Sequence, residues 1–211
     1  MKTDDLINLL AQDAPVRSRI GQALVLAVVG GILISGVIFF AAIGFRADIG
    51  TAMETVRFLF KFVVTIALAV TAGAVVFRIG RPGVSLRPWG WMLFAAPLLL
   101  VAAALVEVMV MPADTWGARM IGHNARFCLT FIPLLSIGPL ACFLFALRQG
   151  APEKPGIAGA VAGLAASGIA ATFYASNCND DSPLFVLLWY PIAIAVVTAV
   201  GYVVGKRVLR W

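Results

Sequence analysis

Residues 20–44 read IGQALVLAVVGGILISGVIFFAAIG, an uncharged apolar run. At about 1.5 Å per residue it is long enough to cross a hydrocarbon core of about 30 Å as a helix. Five further runs follow at 56–77, 89–111, 127–147, 156–175 and 184–205. Between them lie turn-forming stretches such as Gly80-Arg81-Pro82-Gly83, Met111-Pro112-Ala113-Asp114, Gly150-Ala151-Pro152 and Asn179-Asp180-Asp181-Ser182-Pro183. The pattern predicts an all-α polytopic membrane protein, a bundle of six transmembrane helices. Composition agrees: 62% of the 211 residues are hydrophobic and 12% charged, against about a quarter charged in a soluble domain.

A net charge of +6 does not indicate nucleic acid, because the basic residues stand in short clusters between apolar runs rather than along one face. They indicate topology instead. With the N-terminus in the cytoplasm, that side carries Lys2, Arg17, Arg19, Arg78, Arg81, Arg87, Arg148, Lys154, Lys206, Arg207 and Arg210, eleven in all. The opposite side carries four, namely Arg46, Arg57, Arg119 and Arg126. Both termini are expected inside. The chain then divides into a cytoplasmic amphipathic segment 1–19, a membrane domain 20–205 and a basic cytoplasmic tail 206–211. The opening residues mix acids and bases, so no cleaved signal peptide is expected.

Small residues recur every four positions as Ala27, Gly31 and Ser35 on the first span, and as Gly159, Gly163 and Ser167 on the fifth. Such stripes let helix backbones approach closely. Pro97, Pro133, Pro139 and Pro191 fall inside spans and are expected to kink them.

Ionisable groups inside a bilayer are costly, and only Lys61 and Glu107 fall within the runs. Both lie toward the outer ends, where they can form an ion pair or snorkel. Cys128 opens the fourth span and Cys178 lies in the last outer loop, so both face the oxidising side. Cys142 is about 21 Å deeper along its helix and reads as a core residue. Two outer thiols that meet can form a static disulfide, or can serve as a working pair that binds a soft metal ion transiently or oxidises. His123, Asp180 and Asp181 share that layer as candidate auxiliary ligands or groups tuning thiol acidity, although a solvated loop histidine is the commoner reading of His123 alone. No other cofactor is expected.

In the N-terminal segment Thr3 can cap a short helix whose first turn holds Asp4 and Asp5, with Pro15 ending it. Leu6, Ile7, Leu9 and Leu10 form an apolar stripe. Such a stripe can lie on the lipid surface or bind a protein, and acids in place of the bases favoured on membrane-surface helices tilt the reading toward a protein partner.

NCNDDSPLFVLLWY at 177–190, LRW at 209–211 and MKTDDLI at 1–7 together resemble the NrsF family. These are six-span inner-membrane negative regulators of extracytoplasmic-function sigma factors. The resemblance implies an anti-sigma factor rather than an enzyme, one that holds its sigma factor at the inner membrane and releases it under heavy-metal or oxidative stress. It places the response on Cys128 and Cys178. The family often has a histidine before the second cysteine, where this chain has Asn177, so a histidine ligand there does not carry over. Two other classes compete: a small transporter or channel, which needs polar or broken helices at mid-membrane, and a membrane thiol oxidoreductase, for which a CxxC pair is lacking.

Overall fold

The computed structural model describes residues 19–80 and 87–210. The expected helix around Asp4 to Leu10 lies outside the described residues, as does Trp211. Among the described residues six helices are long and apolar enough to span a bilayer. Their α-helical parts are α1 (Arg19–Ala42), α2 (Val56–Ile79), α3 (Ala95–Val110), α4 (Ala125–Leu147), α5 (Pro155–Ala175) and α6 (Pro183–Val208), the third span reaching its length by starting at Trp91. Their ends follow local chemistry. Thr55 caps α2 by accepting from the Phe58 amide at 3.4 Å, and Ser182 caps α6 by accepting from the Leu184 amide at 3.2 Å. Proline occupies the first turn of both α5 and α6, where its missing N–H is not needed.

The third span departs from expectation at its start. A helical turn over Arg87–Gly90 and a 3-10 turn over Trp91–Phe94 precede α3, so Pro97 lies in its first turn rather than mid-span. The backbone change is taken up before the proline, which can donate nothing to the Leu93 carbonyl.

A belt of exposed apolar side chains surrounds the bundle, including Leu26, Leu33 and Val37 on α1 and Leu98, Leu105 and Met109 on α3. Water would not tolerate a surface so continuously apolar, whereas lipid solvates it. Inside the belt α5 is the axis: 67% of its membrane-crossing stretch is buried, against 22% for α3. It packs on α6, α2 and α4.

Glycine permits that position. A methyl on Gly159 would collide with the Gly201 carbonyl, one on Gly163 would lie 2.8 Å from the Val197 carbonyl, and one on Gly168 would lie 2.6 Å from the Ala69 amide. On the first span, a methyl at Gly31 would sit 3.0 Å from the Pro139 backbone. Ser35, fully buried, donates to the Leu135 carbonyl at 3.2 Å. That carbonyl lies four residues before Pro139, which lacks the amide that would normally bond it. The hydroxyl of α1 thus fills the gap the proline opens in α4, as lipid requires.

Candidate functional site

The 43–55, 111–124 and 176–182 connections meet on one face, where the last of them forms a polar lid. Its residues reach every other span end on that face. Asn177 donates to the Gly44 carbonyl at 3.0 Å, beyond α1, where Gly44 turns the chain with φ +68°. Asp180 accepts from the amides of His123 (2.9 Å) and Asn124 (2.8 Å) and from the Asn124 side chain (3.0 Å). It therefore holds the N-terminus of α4, where a carboxylate is favoured. Gly122, with φ +57°, permits this approach, since a Cβ there would clash with Phe185 and lie 2.9 Å from the Asp180 carboxyl carbon.

Asp181 takes two cations. Lys61 of α2 pairs with it at 2.6 Å and Arg46 at 2.9 Å, and both also donate to the Cys178 carbonyl, at 2.8 and 3.3 Å. The Lys61 side chain is 1% exposed and lies over the Phe58 ring. Arg46 also grips Asp48 at 2.7 Å. Bonding to Asp48 foremost, opposed by partial burial and aided by Asp181, raises Arg46 above its already high value, and Arg46 in turn holds the Asp48 carboxyl below the usual carboxylate range.

The expected Lys61–Glu107 pair is not formed. Glu107 instead accepts from the Ser182 hydroxyl at 2.7 Å and the Leu184 amide at 3.2 Å, and pairs with Arg119 at 3.2 Å and Arg57 at 3.8 Å. The start of α6 offers this carboxylate amides and a helix dipole, which a lysine one turn deeper than Arg57 cannot match. Lys61 is left to the nearer Asp181.

Beneath the lid lie Cys128 and Cys178, both free, both fully buried, and both in one apolar cluster with Ile132, Tyr174, Phe185 and Tyr190. No disulfide joins them. Burial pushes the Cys178 thiol up, while the nearby Lys61 charge and its contact with the Asp180 carbonyl (3.8 Å) pull it down. Direct attack on such thiols from water therefore needs the lid to open. Cys142 is in the other half of the bundle, 3.7 Å from where a Gly30 methyl would stand.

His123 is not brought to the thiols. Its side chain is 95% exposed and its Nδ1 is 3.7 Å from Asp180. Asp180 and Asp181 are already engaged by donors from outside the lid, Asp180 by His123 and Asn124 and Asp181 by Arg46 and Lys61. Among the described residues no group of three or more His, Cys, Asp and Glu side chains is arranged to hold a metal ion. Beside the lid a solvent-facing cleft of about 550 Å³, lined in part by Arg57, Asp114, Arg119 and His123, approaches the same loop.

Sequence reasoning passed over Arg46, which it counted only as an outer charge, and Tyr174, whose hydroxyl donates to the Asn124 carbonyl at 3.3 Å. Arg46 carried a local signal, the Asp two residues on. Tyr174 carried none.

The NrsF family model, described as negative regulator of sigma F, matches residues 9–211. The chain is 32% identical to the anti-sigma-F factor NrsF of Caulobacter vibrioides and 30% identical to the probable anti-sigma-F factor NrsF of Azospira oryzae, in each case over the whole of both chains. No solved structure matches it.

Proposed function

The chain belongs to the NrsF family of negative regulators of sigma F, and from that premise we propose an inner-membrane anti-sigma factor whose partner is an extracytoplasmic-function sigma factor. Both termini face the cytoplasm and the lid faces outward, the orientation that the Lys and Arg distribution supports. The N-terminal segment, through Leu6, Ile7, Leu9 and Leu10 with Asp4 and Asp5, grips the sigma factor. Cys128 and Cys178 sense heavy metal or oxidant.

The observation that carries this reading is the placement of two free thiols in one buried cluster under a loop tied to the ends of the other spans. A soft metal ion held transiently by both sulfurs, or their oxidation, draws the lid toward the start of α4. Cys128 sits in the first turns of α4, whose far end at Leu147 is about 30 Å away on the opposite face. Displacing a proline-containing helix at one end shifts the other, and so alters the face on which the sigma factor is held.

Affinity purification of the full-length protein from detergent-solubilised membranes tests this directly. The sigma factor should copurify from unstressed cells and be lost after cadmium or peroxide treatment. In Cys128→Ser and Cys178→Ser proteins it should be retained, while Cys142→Ser should behave as wild type. A purified protein that carries no sigma factor would defeat the partner assignment, and a Cys178→Ser protein that still releases it would defeat the sensing assignment.

A further inference from the structure

Among the described residues, the Tyr190 hydroxyl is the one buried side-chain oxygen or nitrogen without a hydrogen-bond partner. Tyr190 is 2% exposed and packs in the cluster that contains Cys128 and Cys178. Its ring lies 6.1 Å from that of Tyr174, which stands beside the Cys178 thiol and spends its own hydroxyl on Asn124. Ile132, Leu135, Phe185 and Ala193 of the cluster are fully buried and apolar, and Tyr190 also lines a cavity of about 800 Å³ walled mostly by apolar side chains. The Thr65 and Thr198 hydroxyls in that cavity are spent on carbonyls of their own helices, so the surroundings lack the several free polar groups that hold an internal water. An unpaired buried phenol destabilises the resting fold, and phenylalanine would fill the same space without that cost. A use for the hydroxyl must therefore lie in another state of the cluster. Thiols are weak acceptors. Oxidised sulfur carries an oxygen that is not.

We propose that Tyr190 is the hydrogen-bond donor reserved for the oxidised form of the Cys128/Cys178 pair, an assignment that rests on the sensor reading above. A hydroperoxide transfers oxygen to one thiol: its O–O bond breaks, the sulfur gives up two electrons, and thiol plus ROOH becomes sulfenic acid plus ROH. The second thiol then attacks that sulfur, forming the S–S bond and releasing the sulfenic oxygen as water. Tyr190 donates to this oxygen, first stabilising it on sulfur and then assisting its departure. The same hydroxyl that costs stability at rest favours the switched state.

The test compares full-length wild type, Tyr190→Phe, Cys128→Ser and Cys178→Ser, all in a Cys142→Ser background, purified in detergent and treated with a hydrogen peroxide series. Disulfide formation is followed by mass spectrometry and thermal unfolding is measured in parallel. Tyr190→Phe should form the disulfide about fivefold more slowly, the loss of one hydrogen bond, while melting at the same or a higher temperature. A Tyr190→Phe protein that reacts at the wild-type rate would overturn the proposal. So would one that melts lower and reacts faster, since the tyrosine would then serve packing alone. A wild-type chain whose two thiols stay reduced through the whole series would instead remove the sensor reading, and this proposal with it.

Discussion

Cys178 illustrates how little loop membership says about a side chain. Its neighbours Asn177 and Asn179 through Ser182 form a polar loop, yet its thiol is fully buried and raised above the ordinary thiol range by that burial. An impermeant maleimide added to intact cells should label Cys178 at least about tenfold more slowly than it labels an Asp114→Cys variant lacking the native cysteines. Asp114 is exposed on the same face. The Asp114→Cys arm also reads orientation, because labelling only after the membrane is broken would place this face inside. Asp181 holds the other decisive interaction. Asp181→Asn leaves Lys61, 1% exposed, with only the Cys178 carbonyl, and should destabilise the protein by about 3 kcal/mol, the low end for a broken buried pair because Asp181 is itself 22% exposed. Lys61→Met leaves Asp181 paired with Arg46 and should cost less. Thermal unfolding in micelles orders the two, and equal losses would show that Arg46 does not compensate.

At the scale of helices, the consequential contacts are those where backbone meets backbone. Gly159 and Gly163 of α5 face the Gly201 carbonyl, the Val197 carbonyl and Thr198 of α6, with no flexible side chain between that can yield. Gly159→Leu should therefore exceed the usual overpacking cost of about 1–3 kcal/mol and abolish the folded protein in membrane extracts. Gly73→Ala, where an added methyl meets nothing within 4 Å, should leave abundance unchanged. Ser35→Ala tests the repair of α4. Removing the donor to the Leu135 carbonyl should cost about 1 kcal/mol in micelle unfolding. A negligible loss would mean that the carbonyl freed by Pro139 is satisfied elsewhere.

For the whole molecule, the described connection between α4 and α5 on the side opposite the lid is short, residues 148–154, and offers a soluble partner little to hold. The apolar stripe of Leu6, Ile7, Leu9 and Leu10 can bury side chains at about 1.5–3 kcal/mol each, whereas exposed charge pairs contribute about 0–1 kcal/mol. Leu6→Asp combined with Leu10→Asp should leave the protein in the membrane at normal abundance and free the sigma factor without stress. Asp4→Asn should have a smaller effect. Immunoblotting of membranes together with target-gene expression measures both, and full repression by the double variant would move the grip to the inner loops.

The sequence alone determined the all-α architecture, the number of spans, the close-packing stripes on the first and fifth helices, and the shared face of Cys128 and Cys178. Each of these follows from a one-dimensional requirement: a helix must be apolar for the thickness of the bilayer, and a connection between successive spans must alternate sides. The partners of the ionisable groups were not legible in the same way. Lys61 and Glu107 share a depth, which made them a plausible pair, but depth is one coordinate of three. The tertiary fold decided that Asp181 reaches Lys61 from the lid while Glu107 faces the start of α6. It also decided that His123 points to solvent, that the Cys128 and Cys178 thiols are covered, and that Tyr190 is left without a partner. Those outcomes depend on which helix faces which neighbour. That is settled by packing around α5, where contacts distant in the chain compete for the same space, and no spacing along one segment encodes the result.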